Sequence, residues 1–99
     1  MIIREISFLA KKRYCEIRRP HWLGIIYKIQ ERLGLSAAER QTYEQLEREM
    51  LNIVNGKAAL ICGLTRNNNK SARFSYDGCV FVVKYERGVG RVVTTQRDL

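Results

Sequence analysis

"RFSYDGCVFVVKYERGVGRVVTTQRDL", residues 73–99, decides how this chain folds. Apolar and polar residues alternate on both sides of Asp77-Gly78. Asp-Gly is the strongest short hairpin signal, because the favoured two-residue turn needs positive φ at both central positions. A two-residue turn there sets Tyr76 opposite Cys79, Phe74 opposite Phe81 and Ala72 opposite Val83. Successive side chains point to opposite faces of a sheet. Ala72, Phe74, Tyr76, Cys79, Phe81, Val83 and Tyr85 therefore share one face, and Arg73, Ser75, Val80, Val82 and Lys84 share the other. Read as a four-residue turn, Arg87-Gly88-Val89-Gly90 places Glu86 opposite Arg91 and Lys84 opposite Val93. Thr95 and Arg97 then join Arg73 and Lys84. A turn differing by one residue would put Thr94 on that face in place of Thr95.

Working back along the chain, "KAALICGL" (57–64) has the composition of a buried strand and "TRNNNKS" (65–71) that of a polar loop. "SAAERQTYEQLEREMLNIVNG" (36–56) predicts a helix. Ser36 and Glu39 form a capping box at its start, Tyr43, Leu46, Met50, Ile53 and Val54 make an apolar stripe, and Asn55-Gly56 ends it. "HWLGIIYKIQERLG" (21–34) predicts another helix, with Trp22, Ile25, Ile26, Ile29 and Leu33 at helical spacing and Gly34 as its C-cap. Pro20 is a break or the first helical position. The short link between these helices predicts an antiparallel helical hairpin. Residues 1–9 fit a strand, and residues 11–20 form a basic connector. The expected fold is α+β in a single domain, residues 1–99. It comprises an N-terminal strand, a helical hairpin and a four-stranded antiparallel sheet with helices on one face.

The chain has 99 residues and a formal net charge of +8. The excess lies at its ends. Residues 1–19 hold six Lys/Arg against two acids, residues 20–55 four against five, and residues 56–99 eight against three. Such a distribution favours a polyanionic partner: nucleic acid, an acidic protein or an anionic membrane. No apolar run approaches the roughly 18–20 residues that span a bilayer, and residues 1–13 are too charged for a signal peptide, so a cytoplasmic protein is expected. Cys15, Cys62 and Cys79 are widely spaced, and with a single His they make a poor metal set. No cofactor or metal is expected.

The expected open face of the sheet has an apolar centre, hydroxyls and a basic rim. Guanidinium and ammonium groups there would meet phosphates, while hydroxyls would offer hydrogen bonds; edge charges also discourage sheet-to-sheet association. Metal-free cleavage of RNA needs a base for the ribose 2′-OH, a cation for the phosphorane and an acid for the leaving oxygen. Arg73 and Lys84 are the candidates for charge stabilisation, and Thr95 and Arg97 for positioning phosphate. His21 is the one residue of the type that ordinarily titrates near neutrality, although a helix-start histidine is more often simply solvated. Arg66, Lys70, Arg87, Arg91, Arg97, Arg18 and Arg19 are the candidate nucleic-acid contacts.

The order of a strand, two helices and antiparallel strands resembles the RelE/ParE toxin superfamily. Gly63-Leu64, Arg73, Val82 to Tyr85 and Val92-Val93 occupy places similar to that family's Gly-Leu segment, strand Arg, V-V-x-Y strand and final apolar strand. Thr94 and Thr95 fit the Thr or Ser often found on the last strand of related ribonuclease toxins. The usual second Arg of the central strand is missing, with Cys79 to Phe81 in its place. The resemblance implies a metal-independent endoribonuclease acting on RNA, ribosome-bound mRNA included, and held by an acidic antitoxin. The alternative is a non-catalytic basic module that binds nucleic acid or an acidic or nucleic-acid-processing enzyme.

Overall fold

The computed structural model describes residues 3–56, 72–86 and 89–98. Its elements are β1 (Ile3–Ile6), α1 (Phe8–Arg18), a short 3-10 turn (Pro20–Trp22), α2 (Leu23–Gln30), α3 (Ala37–Asn55), β2 (Ala72–Tyr76), β3 (Cys79–Glu86) and β4 (Val89–Arg97). The described strands form one four-stranded sheet ordered β1-β4-β3-β2. The chain is α+β, but the sheet is mixed and not wholly antiparallel. β2, β3 and β4 are antiparallel neighbours, whereas β1 lies parallel to β4. A parallel neighbour needs a long crossover, and the helical region between β1 and the later strands supplies one. The strand expected at 57–64 lies outside the described residues.

The expected N-terminal strand stops at Ile6 because Ser7 starts a helix. Its side-chain oxygen accepts from the Ala10 amide at 3.1 Å, a helix N-cap. What the sequence presented as a basic connector is α1. Its inner face carries Ala10, Tyr14 and Cys15, and also the buried Lys11. That lysine interrupts the apolar pattern and hides the helix from a periodicity reading. Its ammonium donates to the Tyr43 hydroxyl at 3.0 Å and lies 3.7 Å from Glu47, so the buried charge is partnered.

Pro20 begins the 3-10 turn, as a first-turn proline can. α2 then ends at Gln30, short of the expected Gly34 cap. Arg32 takes φ +59° there, and the Leu33 amide donates back to the Lys28 carbonyl at 2.8 Å. This is the Schellman pattern with arginine in the position glycine usually fills. α3 starts on the expected capping box, with both Ser36–Glu39 hydrogen bonds present. Its buried stripe is Leu46, Met50 and Val54. The expected hairpin is not the unit that covers the sheet. α2 rests on α1 and the 3-10 turn, while α1 packs on β4 and α3 on β1.

The turn at Asp77-Gly78 sets β2 against β3 in the expected register, with Phe74 opposite Phe81 and their rings stacked at 5.4 Å. Ala72, Phe74, Cys79, Phe81 and Val83 are buried against the helices, but Tyr76, near the turn, is 45% exposed. The side chain of Tyr85 lies outside what the structure describes. β3 and β4 pair differently from expectation: Glu86 faces Val89 and Lys84 faces Arg91. The register then shifts, with Val83 opposite Val92 but Val82 opposite Thr94, so Val93 is an extra residue in a β-bulge. The bulge changes which residues face the helices beyond it, and Thr95 sits opposite Phe81 in the core. Ser7 holds the bulge by donating its hydroxyl to the Val93 carbonyl at 2.7 Å.

Two further features seat β1. Gly90 lies opposite Ile3, and a Cβ at Gly90 would collide with Ile3 Cδ1. Asn55, the last residue of α3, pairs with β1 through its side chain. Its Oδ1 accepts from the Ile3 amide at 2.8 Å, and its Nδ2 donates to the Ile3 carbonyl at 3.0 Å. Asn55→Ala removes both bonds and leaves two groups of a buried residue without these partners. We expect a loss of about 2–3 kcal/mol in urea unfolding. A loss below about 0.5 kcal/mol would mean that water or another group replaces the amide at no cost.

Candidate nucleic-acid interface

The face of the sheet turned from the helices is built by alternation. β2 contributes Arg73 and Ser75, β3 contributes Val80, Val82 and Lys84, and β4 contributes Arg91, Thr94 and Gln96. Arg73, Ser75, Lys84, Arg91 and Gln96 are exposed, Thr94 and Val80 are half-buried, and Val82 is buried. Glu5 of β1 stands opposite Arg91, with 3.9 Å between their charged groups. At that distance and exposure the pair is weak. Neither Arg73 nor Lys84 is paired with a carboxylate among the described residues. The face is a basic strip over an apolar centre, flanked by the Ser75 and Thr94 hydroxyls and the Gln96 amide.

The structure brings together only some of the expected residues. Arg73, Lys84 and Arg91 share this face. Thr95 does not: the bulge turns it into the core, where it is fully buried and its Oγ1 has no hydrogen-bond partner among the described residues. Arg97 follows the same parity and stands opposite Cys79, exposed at the end of β4. His21 is exposed on the 3-10 turn, its ring 5.3 Å from that of Trp22, in the helical layer. Arg18 pairs with Asp77 of the hairpin turn. Arg19 donates to Glu49 at 2.8 Å and lies 5.9 Å from the Trp22 ring. These two arginines fasten α1 to its surroundings and are not part of the open face. Arg66, Lys70 and Arg87 lie outside the described residues.

A second group of charges was not read from the sequence. A cleft of about 120 Å³ between α1 and β4 is lined by Arg13, Glu16, Ile17, Thr95, Gln96 and Arg97. Arg13 and Glu16 are three residues apart and hence neighbours on a helix. Recognising α1, whose clearest signal is the Ser7 cap, would have brought them to notice. Thr94 was visible as the alternative to Thr95 but depended on a bulge that no turn residue announces.

The remaining perturbed groups are explained by packing. Burial, then a 2.8 Å hydrogen bond to Glu49, raises the Tyr14 hydroxyl well above its ordinary value. That carboxylate in turn raises Arg19. Burial pushes the Cys15 thiol from 9.0 up to about 12 and also raises Cys79. Both are free thiols. No three His, Cys, Asp or Glu residues group to hold a metal ion among the described residues, and no described helix is long and apolar enough to cross a membrane. No known family model, curated protein or solved structure matches the chain.

Raised folded-state values mean that Tyr14 and Cys15 hold their protons more tightly in the folded than in the unfolded protein. Their contribution is complete below the unfolded thiol value near 9 and is lost as pH rises toward 12. The thermal midpoint should therefore fall progressively above about pH 9. At pH 8.5 iodoacetamide should spare Cys15 and Cys79 in the native protein and modify both in urea. Rapid native alkylation at either position, read by peptide mass, would contradict their burial.

Proposed function

We propose that the protein is a small basic binding module that takes single-stranded RNA on the open face of its sheet. The observation that carries this reading is the placement of Arg73, Lys84 and Arg91 on one face beside Ser75, Thr94 and Gln96. Cations at strand spacing meet successive phosphates, and the hydroxyl and amide groups offer hydrogen bonds without demanding a particular base. An acidic protein, such as the antitoxin implied by the RelE/ParE resemblance, would present carboxylates to the same three cations and compete for them.

The second reading is the metal-independent endoribonuclease of that resemblance, favoured by Arg73 and Lys84 standing together without described counter-ions. Their charge would offset that developing on the phosphorane. The base and acid would have to come from elsewhere, because Thr95 faces the core and His21 belongs to the helical layer. Binding therefore ranks ahead of cleavage on the open face itself.

Three phosphate contacts on a single strand should give a log–log salt slope of about −2. Arg73→Ala and Lys84→Ala should each lower affinity for a single-stranded oligonucleotide and make the slope shallower by roughly 0.7, leaving the unfolding midpoint nearly unchanged. Affinity that ignores salt between about 50 and 200 mM would sink the electrostatic reading. Incubation with RNA, with and without ribosomes, decides the second reading. If the face is catalytic, Arg73→Ala should slow cleavage by about two to three orders of magnitude. No cleavage by the wild-type protein leaves the binding module alone.

A further inference from the structure

Asn55 is both the last residue of α3 and the clasp on β1. Its side-chain amide meets the Ile3 amide and carbonyl at 2.8 and 3.0 Å, so it stands where a neighbouring strand would pair. Gly56 follows it. No unusual backbone angle calls for glycine there: its φ of −64° and ψ of −19° are helical, and alanine adopts them more readily. What glycine does supply is access. With no Cβ, its backbone nitrogen is the least hindered neighbour that can close a five-membered ring on an asparagine side chain. In the folded chain two restraints oppose that closure. The Gly56 N–H donates to the Asn52 carbonyl at 3.1 Å, and both ends of the Asn55 amide are held on β1. Gly56 itself is exposed, so water can reach it.

We propose that Asn55-Gly56 is a self-modification site whose reaction is held off by the docking of β1. When β1 lifts away, hydroxide removes the Gly56 amide proton and the nitrogen attacks the Asn55 side-chain carbonyl carbon. A new C–N bond closes a succinimide ring, the Cγ–Nδ2 bond breaks, and Nδ2 leaves as ammonia. Water then opens the ring at either carbonyl and leaves aspartate or isoaspartate at position 55. One water is consumed, one ammonia is released, and nothing is oxidised or reduced. The product no longer fits β1. A carboxylate only accepts hydrogen bonds, so the Ile3 carbonyl loses its donor and faces a negative charge. That charge also sits at the C-terminal end of α3, where the helix dipole disfavours it. Isoaspartate further inserts a methylene into the main chain. The site is a one-way switch: docked β1 protects Asn55, and conversion weakens the return of β1. The chemistry uses no residue of the open face and stands apart from RNA binding.

The test is a time course of the full chain at mildly alkaline pH, in native buffer and in urea, with conversion at position 55 read by peptide mass in heavy-oxygen water. Conversion should proceed in urea and be slower in native buffer by about tenfold or more, because only the locally opened state reacts. Gly90→Ala, whose Cβ would collide with Ile3, should bring the native rate toward that in urea while circular dichroism shows the helices retained. The wild-type chain supplies the same comparison without a variant. In urea below the unfolding midpoint, conversion should rise in step with hydrogen exchange of the Ile3 amide. Gly56→Ala should slow conversion in urea, where folding plays no part. The converted protein, separated by its added charge, should show faster Ile3 exchange and a lower unfolding midpoint, and Asn55→Asp should reproduce both. Equal rates in native buffer and urea, no conversion at position 55 in urea, or a converted protein with unchanged Ile3 protection and midpoint would each overturn the proposal.

Discussion

The extra residue at Val93 is the constraint on which the two sides of this molecule depend. Without it, alternation along β4 would carry Thr95 and Arg97 onto the open face with Lys84 and turn Thr94 inward. With it, Thr95 packs opposite Phe81 and Thr94 opposite Val82. The bulge is held from outside the hairpin. The Ser7 hydroxyl donates to Val93, the same oxygen caps α1, and the Ser7 amide donates to the Val92 carbonyl at 2.9 Å. One serine thus ends β1, starts α1 and fixes the irregular point of β4. The helix so placed carries Arg13 and Glu16 to the end of the strand that supplies Thr95 and Arg97.

The charge of the chain is divided by the same arrangement. The helical layer uses several of its cations structurally: Lys11 with Tyr43 and Glu47, Arg18 with Asp77, Arg19 with Glu49 and Lys28 with Glu39. These pairs join separate elements, and each includes a hydrogen bond. The open sheet face and the α1 cleft differ. There the cations are exposed and unpaired among the described residues or, for Arg91, only weakly engaged. Cations left free in a cluster make a positive field that the remaining carboxylates do not cancel, and the binding proposed for the open face rests on that field.

Much of this was legible where one local rule acted alone. Asp77-Gly78 dictated the β2–β3 register, and Ser36 with Glu39 dictated the start of α3, because turn dihedrals and capping need no distant partner. Helix α1 was hidden because Lys11 sits in its buried stripe, stabilised by Tyr43 and Glu47 more than thirty residues away in sequence. The parallel place of β1 depends on Asn55 and Gly90, again distant contacts. Of the expected site, Arg73 and Lys84 followed from the secure hairpin. Thr95 was misplaced because its facing passes through a bulge that a contact with Ser7 stabilises. The Arg13–Glu16 pair was missed with the helix that carries it.

The most direct test of the division into a binding face and a packed layer is amide chemical-shift mapping with a short single-stranded RNA at low salt. The account predicts the largest changes along β3 and β4 and at Arg73, centred on Lys84, Arg91 and Thr94. Signals from Tyr14, Leu46 and Met50 should stay in place. Changes concentrated on α2 and α3, with Lys84 and Arg91 unmoved, would contradict it.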